Sequence, residues 1–308
     1  METEFKAIHL PTWVRSARQA APLASVVTIG AMGNAGSTSP SSTTPALRFN
    51  DVQFSYGRRP IIDSLSLEVR QGELLAIMGG SGVGKTTLLR LVAGLVRPTT
   101  GSIELLGEPL RIDDQESLYA LRKRIGLLFQ FGALFTDLNC FENVAFPLRE
   151  HSRLSESLLK DLVLLKLEAV GLRGAASLMP SEISGGMGRR VALARAVALD
   201  PELILYDEPF AGLDPISLGV TARLIRRLND ALGATSIVVT HDVAETFAIA
   251  NRVAVLAPSE RGARLVALGT PEELRNSVDP YVRQFLAGDE SGPVQFHMAA
   301  AALEDDFL

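Results

Sequence analysis

A glycine-rich segment placed directly after an apolar run constrains the fold of this chain more than any other feature. Residues 79–86 read Gly-Gly-Ser-Gly-Val-Gly-Lys-Thr, which fits the pattern G-x-x-x-x-G-K-[ST]. The apolar run 74–78 precedes the segment, and a helical pattern follows it over 86–95. A strand, a loop and a helix in this order predict a phosphate-binding loop, because free backbone N–H groups and a helix N-terminus favour bound phosphate.

Each part of this loop has a mechanical reason to hold a nucleoside triphosphate. The glycines let backbone N–H groups surround the phosphates, Lys85 is expected to reach the β- and γ-phosphates, and the Thr86 hydroxyl is expected to bind Mg²⁺. The predicted nucleotide-binding residues of the loop are Gly79, Gly80, Ser81, Gly82, Val83, Gly84, Lys85, Thr86 and Thr87.

Two further apolar runs end in polar residues suited to phosphoryl transfer. One ends in the adjacent carboxylates Asp207 and Glu208, and the other ends at His241. Neighbouring side chains of an extended chain point to opposite faces, so Asp207 can bind Mg²⁺ while Glu208 polarises water. Ligands of open α/β sheets bind at the carboxyl edge, where these strands end. We therefore predict Lys85, Glu208 and His241 as the catalytic residues.

The alternation of strand and helix patterns predicts an α/β fold with a mainly parallel sheet flanked by helices. Two alternating segments, 47–54 and 65–69, predict an antiparallel β subdomain formed by edge strands. The strand pattern disappears over about 131–183, where we predict an inserted helical subdomain with Ser155 as a helix cap. The other predicted elements are strands at 125–129, 203–206, 236–240 and 253–256, and helices at 187–199, 217–231 and 242–250.

Composition separates the two ends from the folded part and excludes one class of function. The formal net charge is −5, which excludes a nucleic-acid binder that relies on a basic surface. Residues 1–45 are predicted to be a flexible leader, with a mis-assigned start or a secretory signal as the alternatives. Residues 46–288 are predicted to form one folded domain, and 289–308 a poorly patterned tail.

The order of these motifs resembles that of the ABC-type ATPases, which share the phosphate-loop NTPase fold. The segment 183–187, Ile-Ser-Gly-Gly-Met, is similar to the family's signature motif, and 211–214, Ala-Gly-Leu-Asp, to its D-loop. The resemblance covers about residues 46–275 and implies an ATPase that uses ATP and Mg²⁺. It departs from the family at Met187, where glutamine is common and a thioether cannot replace the hydrogen bonds of an amide.

The resemblance also assigns roles outside the phosphate loop. It implies that Tyr56 stacks on adenine and that Gln130 helps to hold the metal together with Thr86 and Asp207. It further implies that a second copy of the chain binds head to tail, because the signature contacts the nucleotide of the opposite subunit. The residues implied for that second half-site are Ser184, Gly185, Gly186 and Asp214.

One branch of the family resembles this chain in further segments. Met187, residues 129–137 and 143–151, and the region 282–294 are similar to the Mla-type phospholipid transporter ATPases. This implies a subunit at the cytoplasmic face of an inner membrane, bound to a permease dimer and associated with a STAS-domain subunit and mammalian-cell-entry-type lipid-binding subunits. Phospholipid transport between inner and outer membranes is the implied function.

Several alternatives stay open on the sequence alone. The cargo can be different, the chain can be a soluble ABC-type mechanical switch, or the loop can serve a small-molecule kinase. Phe131, Phe135 and Phe141 fit a permease contact and a core position equally well. Tyr56 has the alternative of an ordinary strand-edge aromatic. The arginine pair Arg189 and Arg190 is interpreted as a solvated helix face.

Overall fold

The computed structural model describes residues 44–290, 292 and 293. The predicted leader, apart from its last two residues, and most of the predicted tail lie outside these residues. In the described part, ten strands form one sheet in the order β5-β4-β1-β2-β10-β9-β3-β8-β7-β6. The strands are β1 Leu47–Tyr56, β2 Arg59–Val69, β3 Leu74–Gly79, β4 Thr100–Leu105, β5 Glu108–Pro109, β6 Ile125–Leu128, β7 Leu203–Asp207, β8 Thr235–Thr240, β9 Arg252–Ser259 and β10 Gly262–Gly269.

One half of the sheet is parallel, as the sequence predicts. Strand β3 pairs in parallel with β8 on one side and β9 on the other. Strand β7 lies in parallel between β8 and β6. Every residue of β3, β7 and β8 is buried. Continuous apolar runs suit such strands because both faces of the sheet are covered.

The other half is mostly antiparallel, with a parallel contact between β2 and β10, and here one detail of the prediction is wrong. Strands β1 and β2 pair antiparallel as expected, but neither is an edge strand. Strand β1 also pairs with β4, and β2 lies beside β10. The edge is the two-residue strand β5. Strand β4 begins with Thr-Gly-Ser and β5 has two residues, so neither shows the apolar run or the alternation that predicts a strand.

Helices cover both faces of the sheet. They are α1 Lys85–Val92, α2 Gln115–Arg122, α3 Cys140–His151, α4 Glu156–Ala169, α5 Gly185–Ala196, α6 Pro215–Leu232, α7 Val243–Ile249, α8 Pro271–Arg275 and α9 Pro280–Ala287. Ser155 caps α4 as predicted, since its hydroxyl accepts a hydrogen bond from the Leu158 N–H at 3.4 Å. Among the described helices, none combines the length and the apolar character needed to cross a bilayer.

Two apolar clusters, one on each face of the sheet, fix the position of β3. Its Leu75 and Ile77 pack with α1 and the antiparallel strands. Its Ala76 and Met78 pack on the opposite face with residues of α7, α8 and α9. A third cluster joins β7 and β8 to α3, α4, α5 and α6.

The segment 129–184, which is described throughout, forms helices and turns but no strand. The domain boundaries at 46, 131, 183 and 288 remain predictions.

A buried asparagine organises the loop that enters this helical segment. Asn143 of α3 is fully buried. Its amide donates to the carbonyls of Phe135 and Leu138, at 3.0 and 2.9 Å, and its oxygen accepts from the Phe135 N–H at 2.9 Å. These bonds supply partners to main-chain groups of the loop, whose own pairing includes the longer bond from the Leu138 N–H to the Phe135 carbonyl at 3.4 Å.

We expect Asn143→Ala to lower the free energy of unfolding by about 1–3 kcal/mol, because it leaves buried main-chain groups unpaired. Urea unfolding followed by circular dichroism measures this change. The matched control is Asn276→Ala, whose exposed amide donates to one helical carbonyl, that of Glu272. Equal stability of the Asn143→Ala protein and the control would contradict the role of the buried network.

Candidate active site

The phosphate loop leaves the sheet at the carboxyl end of its most constrained strand. Gly79 ends β3, and a Cβ atom at this position would lie 2.6 Å from the Leu256 carbonyl oxygen. Gly84, at φ 111°, turns the chain into α1. Both positions therefore require glycine, the first for close approach and the second for its backbone angle. Ser81 and Gly82 are exposed at the tip of the loop, whereas Val83 and Thr87 are buried.

Lys85 is buried inside the curve of the loop. Its Nζ donates to the carbonyls of Gly79 and Gly80, at 2.9 and 3.2 Å. The same Nζ lies 3.4 Å from Oε1 of Glu208, and both side chains are largely buried. The structure thus brings together two residues that are 123 positions apart, since 208 − 85 = 123.

Thr86 and Asp207 also meet. The Thr86 hydroxyl donates to Oδ1 of Asp207 at 3.0 Å. Burial raises the pKa of the Asp207 carboxyl, and the hydrogen bond from Thr86 offsets part of that effect. A hydroxyl and a poorly solvated carboxylate are oxygen ligands of the type that Mg²⁺ binds together with phosphate. These two residues therefore fit the predicted magnesium site.

Glu208 is the meeting point of the predicted catalytic residues. Its Oε2 lies 3.0 Å from Nδ1 of His241, while its other carboxylate oxygen faces Lys85. His241 follows β8 and is exposed, and Glu208 follows β7. Adjacent parallel strands therefore deliver a carboxylate and an imidazole to one edge, where both can contact a substrate or water. Glu208 itself has an unusual backbone angle for a residue with a side chain, φ 44°.

Tyr56 and Gln130 are accessible, as ligand-binding residues must be. The Tyr56 ring is 43% exposed, stands edge-on to Phe54 at 4.7 Å, and accepts a hydrogen bond from Arg90 at 3.2 Å. Gln130 is exposed two residues after β6, the strand that pairs with β7. Their assigned contacts with adenine and metal stay predictions.

The predicted signature residues form a second group. Ser184 caps α5 by accepting a hydrogen bond from the Met187 N–H at 3.2 Å. Gly186 faces α6 so closely that a Cβ atom there would lie 3.0 Å from Ser217 Oγ. Asp214 caps α6 by accepting from the N–H groups of Ile216 and Ser217, each at 3.0 Å. A hydrogen bond from the Ser217 hydroxyl, followed by these main-chain bonds, lowers the pKa of the Asp214 carboxyl. Ser184, Gly185 and Asp214 are all exposed.

The structure shows the surroundings of two residues near the signature, and those of Arg189 contradict the sequence-based interpretation. Met187 is partly buried and packs against the core, so its thioether serves packing. Arg189 does not lie on a solvated face: it is 4% exposed and donates to the carbonyls of Glu208 and Ala211. The sequence gives one indirect signal of this, since the following helical run is otherwise small and apolar.

The aromatic residues after Gln130 divide into two sets. Phe141 is partly buried and packs against the core. Phe131 is 73% exposed, and Phe135 and Phe146, whose rings lie 4.8 Å apart, are exposed as well. The core interpretation therefore holds for Phe141, and we refer to the exposed residues Phe131, Phe135 and Phe146 together as the aromatic patch.

The sequence and the structure are similar to those of known ATP-binding proteins. The ABC transporter family model matches residues 62–211. The intermembrane phospholipid transport system ATP-binding protein MlaF of Haemophilus influenzae is 54% identical over 255 residues, which cover 82% of this chain and 95% of that protein. The probable ribonucleotide transport ATP-binding protein mkl of Mycobacterium leprae is 40% identical over 81% of this chain and 71% of its own length.

A solved structure gives the same result. A dimeric, post-hydrolysis ATP-binding cassette, MJ0796 with ADP and phosphate, superposes with a TM-score of 0.65. It is 29% identical in sequence, and the alignment covers 73% of this chain and 98% of that cassette.

We expect Lys85→Ala to weaken ATP binding by about tenfold or more, because a hydrogen bond to a charged group contributes ~1.5–3 kcal/mol. Titration with a fluorescent ATP analogue measures the affinity. Lys160→Ala, which removes an exposed lysine of α4, is the charge-matched control. Unchanged affinity in a folded Lys85→Ala protein would contradict the assignment of the loop.

Proposed function

This chain belongs to the ABC transporter family of ATPases, and we propose that it energises the movement of phospholipid between the inner and outer membranes. The observation that carries the choice of cargo is its 54% identity to an MlaF protein, 95% of whose length is covered. The match extends beyond the ATP-binding motifs, which an ATPase of this family needs whatever cargo its transporter moves. We further propose that residues 46–288 form the ATPase domain and that 289–308 contact a partner subunit.

The chain binds ATP, and we assign the hydrolysis chemistry to the residues that meet around Glu208. Lys85 and the amides of the phosphate loop hold the phosphates in place. Glu208 orients and deprotonates the water that attacks the γ-phosphorus, and His241 stabilises the phosphoryl group as its bond to ADP breaks. Because Lys85 and Glu208 are largely buried, water screens their charges less, and each charge interacts more strongly with the phosphates and with the attacking water.

Thr86, Asp207 and Gln130 would hold Mg²⁺ beside the phosphates. The ion would supply positive charge to the γ-phosphate oxygens during transfer. The hydrogen bond between Thr86 and Asp207 supports this assignment, since it places two oxygen ligands within reach of one site.

We propose that the working form is a head-to-tail dimer. The exposed Ser184 and Gly185 at the start of the 12-residue helix α5 suit an anion, because free N–H groups and the helix dipole favour negative charge. In a dimer these residues and Gly186 would contact the γ-phosphate of ATP in the opposite subunit, with Asp214 close by. The dimeric state of the similar ATP-binding cassette supports this arrangement.

The aromatic patch is the proposed contact with the permease. Exposed apolar side chains that lie together often mark a protein–protein contact, and the Phe135 and Phe146 rings lie 4.8 Å apart. Docking on a permease dimer would place the chain at the cytoplasmic face of the inner membrane as a peripheral subunit. STAS-domain and mammalian-cell-entry-type subunits complete the proposed complex, and no nucleic acid takes part.

A transporter with another cargo is the second candidate. The similarity to a probable ribonucleotide transport protein, at 40% identity, is the observation that favours it. Cargo contacts lie in other subunits in either case, so the ATPase site does not distinguish the two candidates.

We expect Glu208→Gln to reduce kcat for ATP hydrolysis by about a hundredfold or more, because a general base contributes ~10²–10⁴. ATP binding should persist, so the variant should accumulate as an ATP-bound dimer in size-exclusion chromatography. Phosphate release gives the rate. Glu260→Gln, at an exposed turn, is the control. Normal steady-state turnover by Glu208→Gln would rule out the assigned base.

Affinity purification from native membranes in mild detergent tests the transport function. We expect a permease, mammalian-cell-entry-type and STAS-domain subunits, and enriched phospholipid, all identified by mass spectrometry. Phe146→Ser should lower permease recovery, whereas Leu95→Ser, which is also an exposed apolar position outside the aromatic patch, should not. A different permease would overturn the cargo, and a chain without a membrane partner would overturn transport.

A further inference from the structure

A buried arginine connects the signature helix to the turn that carries the candidate base. Arg189 lies on α5, and its side chain is almost fully buried. Its Nη1 donates to the carbonyl oxygen of Glu208 at 3.3 Å, and its Nη2 donates to that of Ala211 at 2.8 Å. One guanidinium therefore contacts both ends of the turn that follows β7.

This turn contains a strained residue. Glu208 has φ 44° and precedes Pro209, a combination that the backbone of a residue with a side chain adopts only when its surroundings enforce it. Its N–H donates to the Val239 carbonyl at 2.9 Å. Its own carbonyl accepts from the Ala211 N–H at 3.2 Å and from Arg189. Two main-chain hydrogen bonds and one hydrogen bond from the Arg189 side chain thus hold Glu208 at this backbone angle.

The backbone angle decides where the carboxylate points. In the observed conformation Glu208 places one carboxylate oxygen 3.4 Å from Lys85 Nζ and the other 3.0 Å from His241 Nδ1. Rotation of the main chain at Glu208 would move both oxygens away from these partners. Small displacements of a catalytic group lower the rate strongly while leaving distant binding contacts intact.

Arginine is suited to this position. Its planar fork can donate to two carbonyl oxygens at once, which the single ammonium of lysine does less well. A buried cation is unfavourable unless it is hydrogen-bonded, and the partners observed here are main-chain oxygens rather than carboxylates. The Arg189 guanidinium also lies 5.8 Å from the Phe131 ring centre.

We propose that Arg189 is a positioning residue for ATP hydrolysis: it holds the turn 208–211 so that the Glu208 carboxylate stays between Lys85 and His241. This inference rests on the proposed function of Glu208 as the base. Because Arg189 and the signature residues share α5, the same contact joins the half-site at Ser184–Gly186 to the base of its own subunit. Displacement of α5 would then move Glu208.

The test compares Arg189→Met with Arg189→Lys in the complex purified from membranes. Methionine keeps the length and apolar packing but has no donor, whereas lysine retains a donor. Arg190→Met is the matched control, since Arg190 lies on the same helix and donates to the Val170 carbonyl at 3.2 Å, outside the turn. The readouts are kcat, the dissociation constant of a fluorescent ATP analogue, and the melting temperature.

We expect Arg189→Met to lower kcat about tenfold or more, with nucleotide affinity close to that of the unmodified complex and a lower melting temperature, because two main-chain carbonyls lose this donor. Arg189→Lys should recover part of the rate, and Arg190→Met should keep it. A normal kcat in Arg189→Met would overturn the inference. So would a loss of nucleotide affinity that matches the loss of rate, because that pattern marks a general structural role.

Two further outcomes are separated by design. If Arg189→Met does not fold, Arg189→Lys decides: a reduced kcat at unchanged affinity supports the inference, and an unchanged kcat overturns it. Glu208→Gln is measured in parallel. If Glu208→Gln hydrolyses ATP normally, the assigned base is wrong and the inference fails with it, whereas a slow Glu208→Gln beside a normal Arg189→Met overturns the inference alone.

Discussion

Strand β3 is hydrogen-bonded along its length on both sides, to β8 and to β9, and the position of the phosphate loop depends on this double pairing. Its alternate side chains enter two different apolar clusters. A shift of one residue would exchange these sets and break both packing arrangements. The register of β3 is therefore fixed, and with it the position of Gly79, where the phosphate loop begins. The same pairing carries Asp207 and His241, through β7 and β8, to the edge where the loop begins.

The site at this edge of the sheet contains oppositely charged side chains that are largely buried and in contact. Lys85 lies between loop carbonyls and Glu208, and Thr86 is bonded to Asp207. The loop and β7 are thus connected by two polar contacts that come from adjacent residues on each side. Interactions of this kind are stronger where water is excluded, and they hold the groups in place before a substrate arrives.

Much of the site could be predicted because its residues follow strands. A buried parallel strand has a continuous apolar pattern, and its end is visible in the sequence as the first polar residue. Asp207, Glu208 and His241 are found at or directly after the ends of such runs, and Lys85 is found from the G-x-x-x-x-G-K-[ST] pattern that follows β3. Their meeting in space follows from topology alone, since parallel strands deliver their carboxyl ends to one edge.

Other features depend on tertiary contacts that no local pattern records. Arg189 and Arg190 are the same residue type at adjacent positions, yet Arg189 is buried. The reason is the turn 208–211, which contains Glu208 at positive φ and presents two carbonyls to the Arg189 guanidinium. This turn ends 22 residues further along the chain, since 211 − 189 = 22. Phe131 and Phe141 have the same side chain, but only Phe141 packs against the core. Residue type sets what a side chain can do, and the surrounding fold selects among the possibilities.

The positive φ of Glu208 also bears on how such a sequence evolves. Glycine or asparagine would adopt this backbone angle with less strain, so selection for stability alone would favour either of them over glutamate. Neither has a carboxylate. A protein that keeps glutamate here accepts a less stable turn in return for an acid at this point, which is a local conflict between stability and activity. Substitutions that stabilise the turn by relaxing Glu208 would therefore be removed by selection on activity, and stabilising changes should accumulate elsewhere in the chain.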